Sequence, residues 1–360
     1  MAFNEDEQQT TGNDELSQLN TELSAQSTVE DETVQPTAGE HAPVLAAENT
    51  TQTVKKVNFL KRDLGLSSLT GGLSYSLVVL LYIGANLLTL LIVRLAHINT
   101  DNDVFTYLAM LIAPLAICVA AAIILNVRKV RFKEICPVKT KSKYYLLAVL
   151  LTIGCLGIGT IASGIFLTVL EFFGYTPTES PMPDFSGIKI IPAIISVAVV
   201  PALFEELMFR GVILHSAEKS MGGVRAILVT GFCFSLMHGS PQQTVHQFLL
   251  GCGIAFLTLR SGSILPGMFA HFLNNLIALM ISLVSDSILT ANQTVLGIGT
   301  MIFLQIASAA FIGALVWLIF DKKNVLSKCQ KGGVKVFFIS ATLGIVIMSV
   351  MWLLDLFAIL

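Results

Sequence analysis

The sequence predicts an all-α membrane protein, a bundle of about nine transmembrane helices preceded by a disordered N-terminal tail. Of its 360 residues, 54% are hydrophobic and only 13% are charged, whereas a soluble domain is nearer one quarter charged. The mean hydropathy is +0.76. Apolar runs near the length of about 20 residues that a helix needs to cross a bilayer recur from residue 73 onward.

The first 54 residues differ sharply in composition from the rest of the chain. They contain eleven Asp and Glu, no Lys or Arg, and almost no aromatic residues. Such a segment cannot bury enough apolar surface to fold, so we expect residues 1–54 to be a disordered acidic tail. A basic juxtamembrane segment is expected at 55–72, and a transmembrane domain at 73–360.

Nine apolar runs make up the predicted transmembrane domain, with the fifth and sixth short. They lie near 73–96, 104–126, 144–173, 188–213, 224–238, 244–259, 264–284, 297–320 and 335–358.

The connecting loops of this assignment alternate in charge. The loops after the second, fourth, sixth and eighth runs carry thirteen Lys and Arg, while the loops after the first, third, fifth and seventh carry none. Since cytoplasmic loops are enriched in Lys and Arg, we expect a multi-pass cell-membrane protein with a cytoplasmic N-terminus and an outside C-terminus.

Other sequence features narrow the choice of partners. There is no Gly-rich phosphate loop and no basic nucleic-acid patch, so the expected partners are membrane lipids and a membrane-associated protein or peptide substrate, without nucleic acid.

The third run contains four glycines that predict close helix packing there: Gly154, Gly157, Gly159 and Gly164.

The fourth apolar run contains the motif FEELMFRG, which places three ionisable residues in an apolar segment. A charged side chain at the bilayer centre costs at least about 2.5–3.5 kcal/mol, so such residues are functional candidates. Glu206 and Arg210 are four residues apart on one helix face and can pair. Glu205 is rotated by roughly 100° and is not neutralised by that pairing, which leaves it available for chemistry.

Further polar residues lie in the neighbouring runs. FSLMHG places Phe234 and His238 one helical turn apart, and HFLNN does the same for His271 and Asn275. His246 is a further candidate. Each of these side chains alone could be a helix–helix hydrogen-bonding residue, but a carboxylate pair, two histidines and an amide together exceed what packing requires.

Two chemistries fit this set of residues. A buried carboxylate near a neutral histidine can act as a general base toward water, and His or Asn can donate to an oxyanion, which suits amide hydrolysis without a cofactor. Alternatively, Glu205, His238 and His271 could ligate zinc. The HExxH helix is absent, and direct general-base catalysis needs fewer assumptions.

The three motifs EExxxR, FxxxH and HxxxN, in this order, resemble the CPBP (CAAX protease and bacteriocin-processing, or Abi) family of intramembrane proteases, historically called metalloendopeptidases. The resemblance covers roughly residues 185–285, the expected catalytic core.

The resemblance implies a role for each residue that matches a motif. Glu205, assisted by His238, would activate water, and His271 with Asn275 would hold the oxyanion. Glu206 and Arg210 would orient the site, and Phe234 would pack beside it.

The resemblance and the residues together predict a glutamate-dependent intramembrane endopeptidase without a bound metal. Two alternatives stay open: a non-catalytic immunity or scaffold protein of the same fold, as in bacteriocin immunity, or a proton-coupled transporter.

For His238 to meet the other residues, the loop at 239–243 must turn back into the protein.

Overall fold

The computed structural model describes residues 64–100, 102–135, 140–177, 187–288, 293–321, 327 and 332–357. The predicted acidic tail and most of the predicted basic segment lie outside these described residues. Their expected boundaries therefore stay predictions.

The described residues are helical and contain no β-strand, which confirms the predicted fold class. A single helical turn, Phe132–Ile135, lies between the second and third long helices. The long helices are α1 Ser68–Ala96, α2 Asp103–Val127 (interrupted at Leu111), α3 Lys143–Phe172, α4 Gly187–Met221, α5 Gly223–Met237, α6 Thr244–Ser261, α7 Leu265–Ile288, α8 Gln293–Phe320 and α9 Gly333–Leu356.

Within the described part of the chain, seven helices are long and apolar enough to cross a membrane, fewer than the nine spans predicted. The two exceptions are α5 and α6, the runs already noted as short. At 1.5 Å per residue, the 15 residues of α5 extend about 22 Å, less than the hydrocarbon thickness of roughly 30 Å. The polar residues Thr244, His246 and Gln247 lower the hydropathy at the start of α6.

The outer surface of the bundle is apolar, as a lipid-facing surface requires. Leu87 on α1 is 61% exposed, and Ile306 on α8 is 68% exposed. Exposed apolar side chains on this scale mark a surface that faces something other than water. Together with the seven long apolar helices, they support a multi-pass membrane protein.

Small residues bring the helices into close contact. A Cβ at Gly154 or Gly157 of α3 would collide with the backbone of α8, and a Cβ at Gly159 would lie 2.5 Å from Nδ1 of His246. The predicted close packing is therefore confirmed at these three positions. It is wrong at Gly164, which is exposed and where an added Cβ would meet no atom of the described residues within 4 Å.

The helix that carries the FEELMFRG motif is irregular along its length. Within α4, the segments Ile194–Val199 and Leu207–Leu214 adopt π-helical hydrogen bonding. Pro201, which has no N–H to donate, lies between them at the start of the intervening α-helical segment. Short π-helical segments inside α-helices are frequent at functional sites, and here they flank Glu205 and Glu206.

Candidate active site

Glu206 and Arg210 form a fully buried ion pair on α4. Nη1 of Arg210 donates to Oε1 of Glu206 over 2.6 Å, and both side chains are 0% exposed. Nη2 of Arg210 donates to the carbonyl of Gly251 on α6 at 3.0 Å. The guanidinium also lies 4.8 Å from the ring centroid of Phe234, so a single arginine links α4, α5 and α6.

His271 on α7 joins the same carboxylate. Its Nδ1 lies 2.9 Å from Oε1 of Glu206, and since a carboxylate only accepts, Nδ1 carries the proton of this hydrogen bond. Nε2 of His271 lies 3.9 Å from Oε2 of Glu205, which is beyond hydrogen-bond range. The structure thus brings both glutamates and Arg210 of α4 into one cluster with His271 of α7, which lies 65 positions after Glu206.

The two adjacent glutamates differ in their environment. Glu206 is completely buried and is held by Arg210 and His271. The side chain of Glu205 is 14% exposed, and among the described residues its carboxylate makes no hydrogen bond. Glu205 therefore offers an accessible carboxylate next to one whose Oε1 accepts from both Arg210 and His271, as its rotation away from the Glu206–Arg210 face predicted.

Phe234 lies between the two histidines of the site. Its ring centroid is 5.1 Å from that of His238 and 5.6 Å from that of His271, with the rings edge to face. Nδ1 of His238 donates to the carbonyl of Phe234 at 2.8 Å, which leaves Nε2 as an acceptor when the ring is neutral. No hydrogen bond joins His238 to Glu205 among the described residues.

The loop that follows His238 packs inside the bundle. Gly239 lies against Met348 and Met351 of α9, and Pro241 is buried. Met348 is eight residues before the end of α9, which places this contact about 12 Å inside that end of the helix. Nε1 of Trp352 donates to Oγ1 of Thr244 at 2.7 Å, and this bond anchors the start of α6. The loop therefore turns back within the protein, as expected.

Asn275 lies one turn after His271 on α7, but its amide hydrogen-bonds to groups outside the glutamate cluster. Its Nδ2 donates to the carbonyl of Val197 on α4 at 3.0 Å, and its Oδ1 accepts from Asn274 at 3.1 Å. One N–H of the Nδ2 group is not used by the Val197 carbonyl. No contact joins Asn275 directly to Glu205 among the described residues.

Two residues of this region escaped the sequence analysis. Asn274 is 4% exposed and bonds both Asn275 and His246. A Cβ at Gly267 would lie 2.8 Å from Cγ2 of Ile254 and 3.2 Å from Oε2 of Glu206, so the absence of a side chain at position 267 leaves room for the carboxylate. The double Asn of HFLNN was a visible signal for Asn274, whereas no local pattern identifies Gly267.

The alternative zinc set is not assembled in the described part of the chain, where no three His, Cys, Asp or Glu side chains converge as a metal-binding group. Nε2 of His271 and Oε2 of Glu205 face each other, but His238 does not complete a third ligand position beside them. A zinc ion requires donors about 2.0–2.2 Å from one point. As arranged, Glu205, His238 and His271 do not present three donors to one such point.

A comparison with family sequence models matches residues 187–277 to the family described as type II CAAX prenyl endopeptidase Rce1-like. Comparisons with curated proteins and with solved structures give no match. The matched segment begins at the first residue of α4 and ends within α7, so it contains every residue of the cluster. The Rce1-like family is a protease family, and the CPBP resemblance read from the three motifs is confirmed for residues 187–277, which carry an Rce1-like domain.

Proposed function

We propose that this protein is an intramembrane endopeptidase that hydrolyses peptide bonds of membrane-associated proteins or peptides with a water activated by Glu205. The observation that carries the proposal is the unequal pairing of the two glutamates. Oε1 of the fully buried Glu206 accepts from both Arg210 and His271, whereas the Glu205 carboxylate is partly accessible and makes no hydrogen bond among the described residues. A general base must keep a lone pair available to a water, and Glu205 meets that condition.

His271 contributes to the proposed reaction from its second ring nitrogen. Because Nδ1 already donates to Glu206, donation to an oxyanion from Nε2 requires a proton on both nitrogens. With that proton, the charges of His271 and Arg210 balance those of the two glutamates, and a neutral total lowers the cost of burying the cluster. Glu206 supports the role by holding the ring with Nε2 directed to the side of Glu205.

His238 and Asn275 complete the proposed set. The hydrogen bond from Nδ1 of His238 to the Phe234 carbonyl leaves Nε2 of the neutral ring as an acceptor, which suits a second contact to the attacking water. The remaining N–H of Asn275 can donate to the developing oxyanion. Preorganised donors of this kind are worth about 2.7–4 kcal/mol each in known enzymes.

An apolar groove beside the cluster suits the apolar part of a membrane-associated substrate. It has a volume of about 400 Å³ and lies between α3, α4 and α7. Leu203, on its rim, is 45% exposed, so the groove opens to the outer surface of the bundle. Its wall on α7 includes Met268, one turn before His271, and this proximity supports the groove as the site for an apolar side chain of the substrate.

We also propose the orientation predicted from the loop charges, with a cytoplasmic N-terminus and an outside C-terminus. The support is the concentration of Lys and Arg in alternate loops. Cysteine accessibility to a membrane-impermeant reagent, measured at single cysteines introduced at Asn99 and at Lys141, tests it. Labelling from outside is expected at position 99 and not at position 141, and the reverse pattern would overturn the orientation.

Cleavage of a peptide library by the purified protein in lipid nanodiscs tests the proposed activity. We expect Glu205→Gln to reduce kcat by about 10²-fold or more, because general-base catalysis contributes about 10²–10⁴-fold. The matched control is Glu171→Gln, an exposed glutamate at the end of α3, which should leave kcat unchanged. Library peptides with and without a prenylated cysteine define the substrate class.

Each contrary result would identify a different error. Loss of activity with a chelator and recovery with zinc would replace the glutamate mechanism with a metal mechanism. Equal, weak cleavage by wild type and Glu205→Gln would favour the non-catalytic alternative. Proton-coupled solute flux without cleavage would favour the transporter.

A further inference from the structure

A chain of hydrogen bonds connects three helices behind the candidate active site. Nε2 of His246 on α6 lies 3.0 Å from Oδ1 of Asn274 on α7. Nδ2 of Asn274 donates to Oδ1 of Asn275 at 3.1 Å, and Nδ2 of Asn275 donates to the Val197 carbonyl on α4 at 3.0 Å. The four groups form one continuous line that ends on a backbone acceptor.

The Val197 carbonyl fixes the direction of every bond in this line. Val197 lies in the π-helical segment Ile194–Val199 of α4, and Pro201, four residues later, has no N–H to donate to this carbonyl. The carbonyl can only accept, so Asn275 must present its NH2 group to it and its oxygen to Asn274. Asn274 must then present its own oxygen to His246, and Nε2 of His246 must carry a proton.

The environment of His246 is shaped for this ring position. The ring packs on Gly159 of α3, where a Cβ would lie 2.5 Å from Nδ1. Asn274 is 4% exposed, so water does not readily replace its bonds. The amide of Asn275 is held at its oxygen by Asn274 and at one N–H by the Val197 carbonyl. It therefore cannot flip, and the direction of its second N–H is fixed.

We propose that His246 and Asn274 are positioning residues that orient the amide of Asn275 in the active site. This inference rests on the proposed function, in which the free N–H of Asn275 donates to the oxyanion. Neither residue touches the reacting atoms. Their contribution is to hold the donor in one orientation before the substrate binds, so that no rearrangement is needed during the reaction.

Four variants separate orientation from simple packing. His246→Gln keeps an N–H donor for Asn274, whereas His246→Phe keeps a ring and removes the donor. Asn274→Asp keeps the acceptor for His246 but faces Asn275 with a carboxylate oxygen in place of an N–H. Asn275→Ala removes the amide that the line is proposed to orient.

The expected result is a selective loss of kcat. His246→Phe and Asn274→Asp should lower kcat by about tenfold or more with little change in KM, a loss in the range seen when outer partners of functional ligands are removed. His246→Gln should retain activity near wild type. In the Asn275→Ala background, His246→Phe should cause no further loss, because the group that it orients is gone. Equal losses in His246→Gln and His246→Phe, or additive losses with Asn275→Ala, would overturn the proposal.

A second measurement keeps the inference testable if the protein cleaves no peptide. The side-chain amide signals of Asn275, labelled with ¹⁵N and assigned by comparison with Asn275→Ala, report the orientation of the amide directly. We expect them to shift in His246→Phe and to stay in place in His246→Gln. Inactive wild type with these shifts would refute the proposed function alone, and unchanged signals in His246→Phe would refute the positioning chain.

Discussion

Replacing Arg210 with Met isolates the energetic role of the buried ion pair. The guanidinium is 0% exposed, donates to Glu206 at 2.6 Å and to the Gly251 carbonyl at 3.0 Å, and packs on the ring of Phe234. Methionine retains much of the length and apolar volume of the side chain but no charge. The substitution therefore leaves the Glu206 carboxylate buried without its cation.

The expected cost is about 3–5 kcal/mol in the free energy of unfolding, the usual penalty for removing one partner of a buried pair. The double variant Glu206→Gln/Arg210→Met removes both charges together. It should be less destabilised than Arg210→Met alone, because an uncompensated buried charge is costlier than a neutral polar pair. The amide oxygen that Glu206→Gln introduces can still accept the hydrogen bond from His271.

Denaturation in mixed detergent micelles, followed by circular dichroism, measures these differences. The matched control is Arg131→Met, at an arginine that pairs with Glu134 at 3.0 Å but is 69% exposed. Exposed pairs contribute at most about 1 kcal/mol, so this variant should remain close to wild type. Equal destabilisation by Arg210→Met and Arg131→Met, or a double variant no more stable than Arg210→Met, would refute the reasoning.

Two further predictions concern the scaffold around the site. Gly154→Ala should destabilise the protein by about 1–3 kcal/mol through overpacking, because its Cβ would collide with the α8 backbone. The control Gly164→Ala, on the same helix, should be neutral or slightly stabilising. Similar thermal midpoints for the two variants would contradict the packing. Trp352→Phe should lower the free energy of unfolding by about 0.5–1.5 kcal/mol, because it loses the hydrogen bond to Thr244. It should also lower kcat, because the loop after His238 becomes less firmly held. Trp317→Phe, at a tryptophan that is 40% exposed, is the matched control, and equal effects of the two tryptophan changes on kcat would show that the loop is not anchored in this way.

The sequence determined the class of the protein and the identity of its polar cluster. Apolar runs of about 20 residues leave few alternatives to membrane helices, because every backbone polar group in lipid must be paired within its own segment. Glu205, Glu206 and Arg210 stood out because charge is rare and costly in such runs. The i, i+4 spacing sufficed to predict the Glu206–Arg210 pair, since a helix alone places those two side chains together.

The partners of the polar groups depended on tertiary structure. The described residues contain a helix for each of the nine predicted runs, and seven of these helices are long and apolar enough to cross a membrane, because α5 is short and the start of α6 is polar. Nothing in the sequence shows that His271 would bond Glu206, since the two are 65 positions apart. Nor does it show that the Val197 carbonyl would engage Asn275.

The physical reason is the range of each interaction. Helix periodicity acts over three or four residues, so it fixes which side chains share a face and which charges pair locally. Contacts between helices depend on tilt, depth and rotation, which are set by packing between distant positions, such as Gly267 of α7 against Ile254 of α6. The sequence therefore identified the polar residues of the candidate site, and only the packed bundle decided which glutamate bonds His271, which stays accessible, and how Asn275 is held.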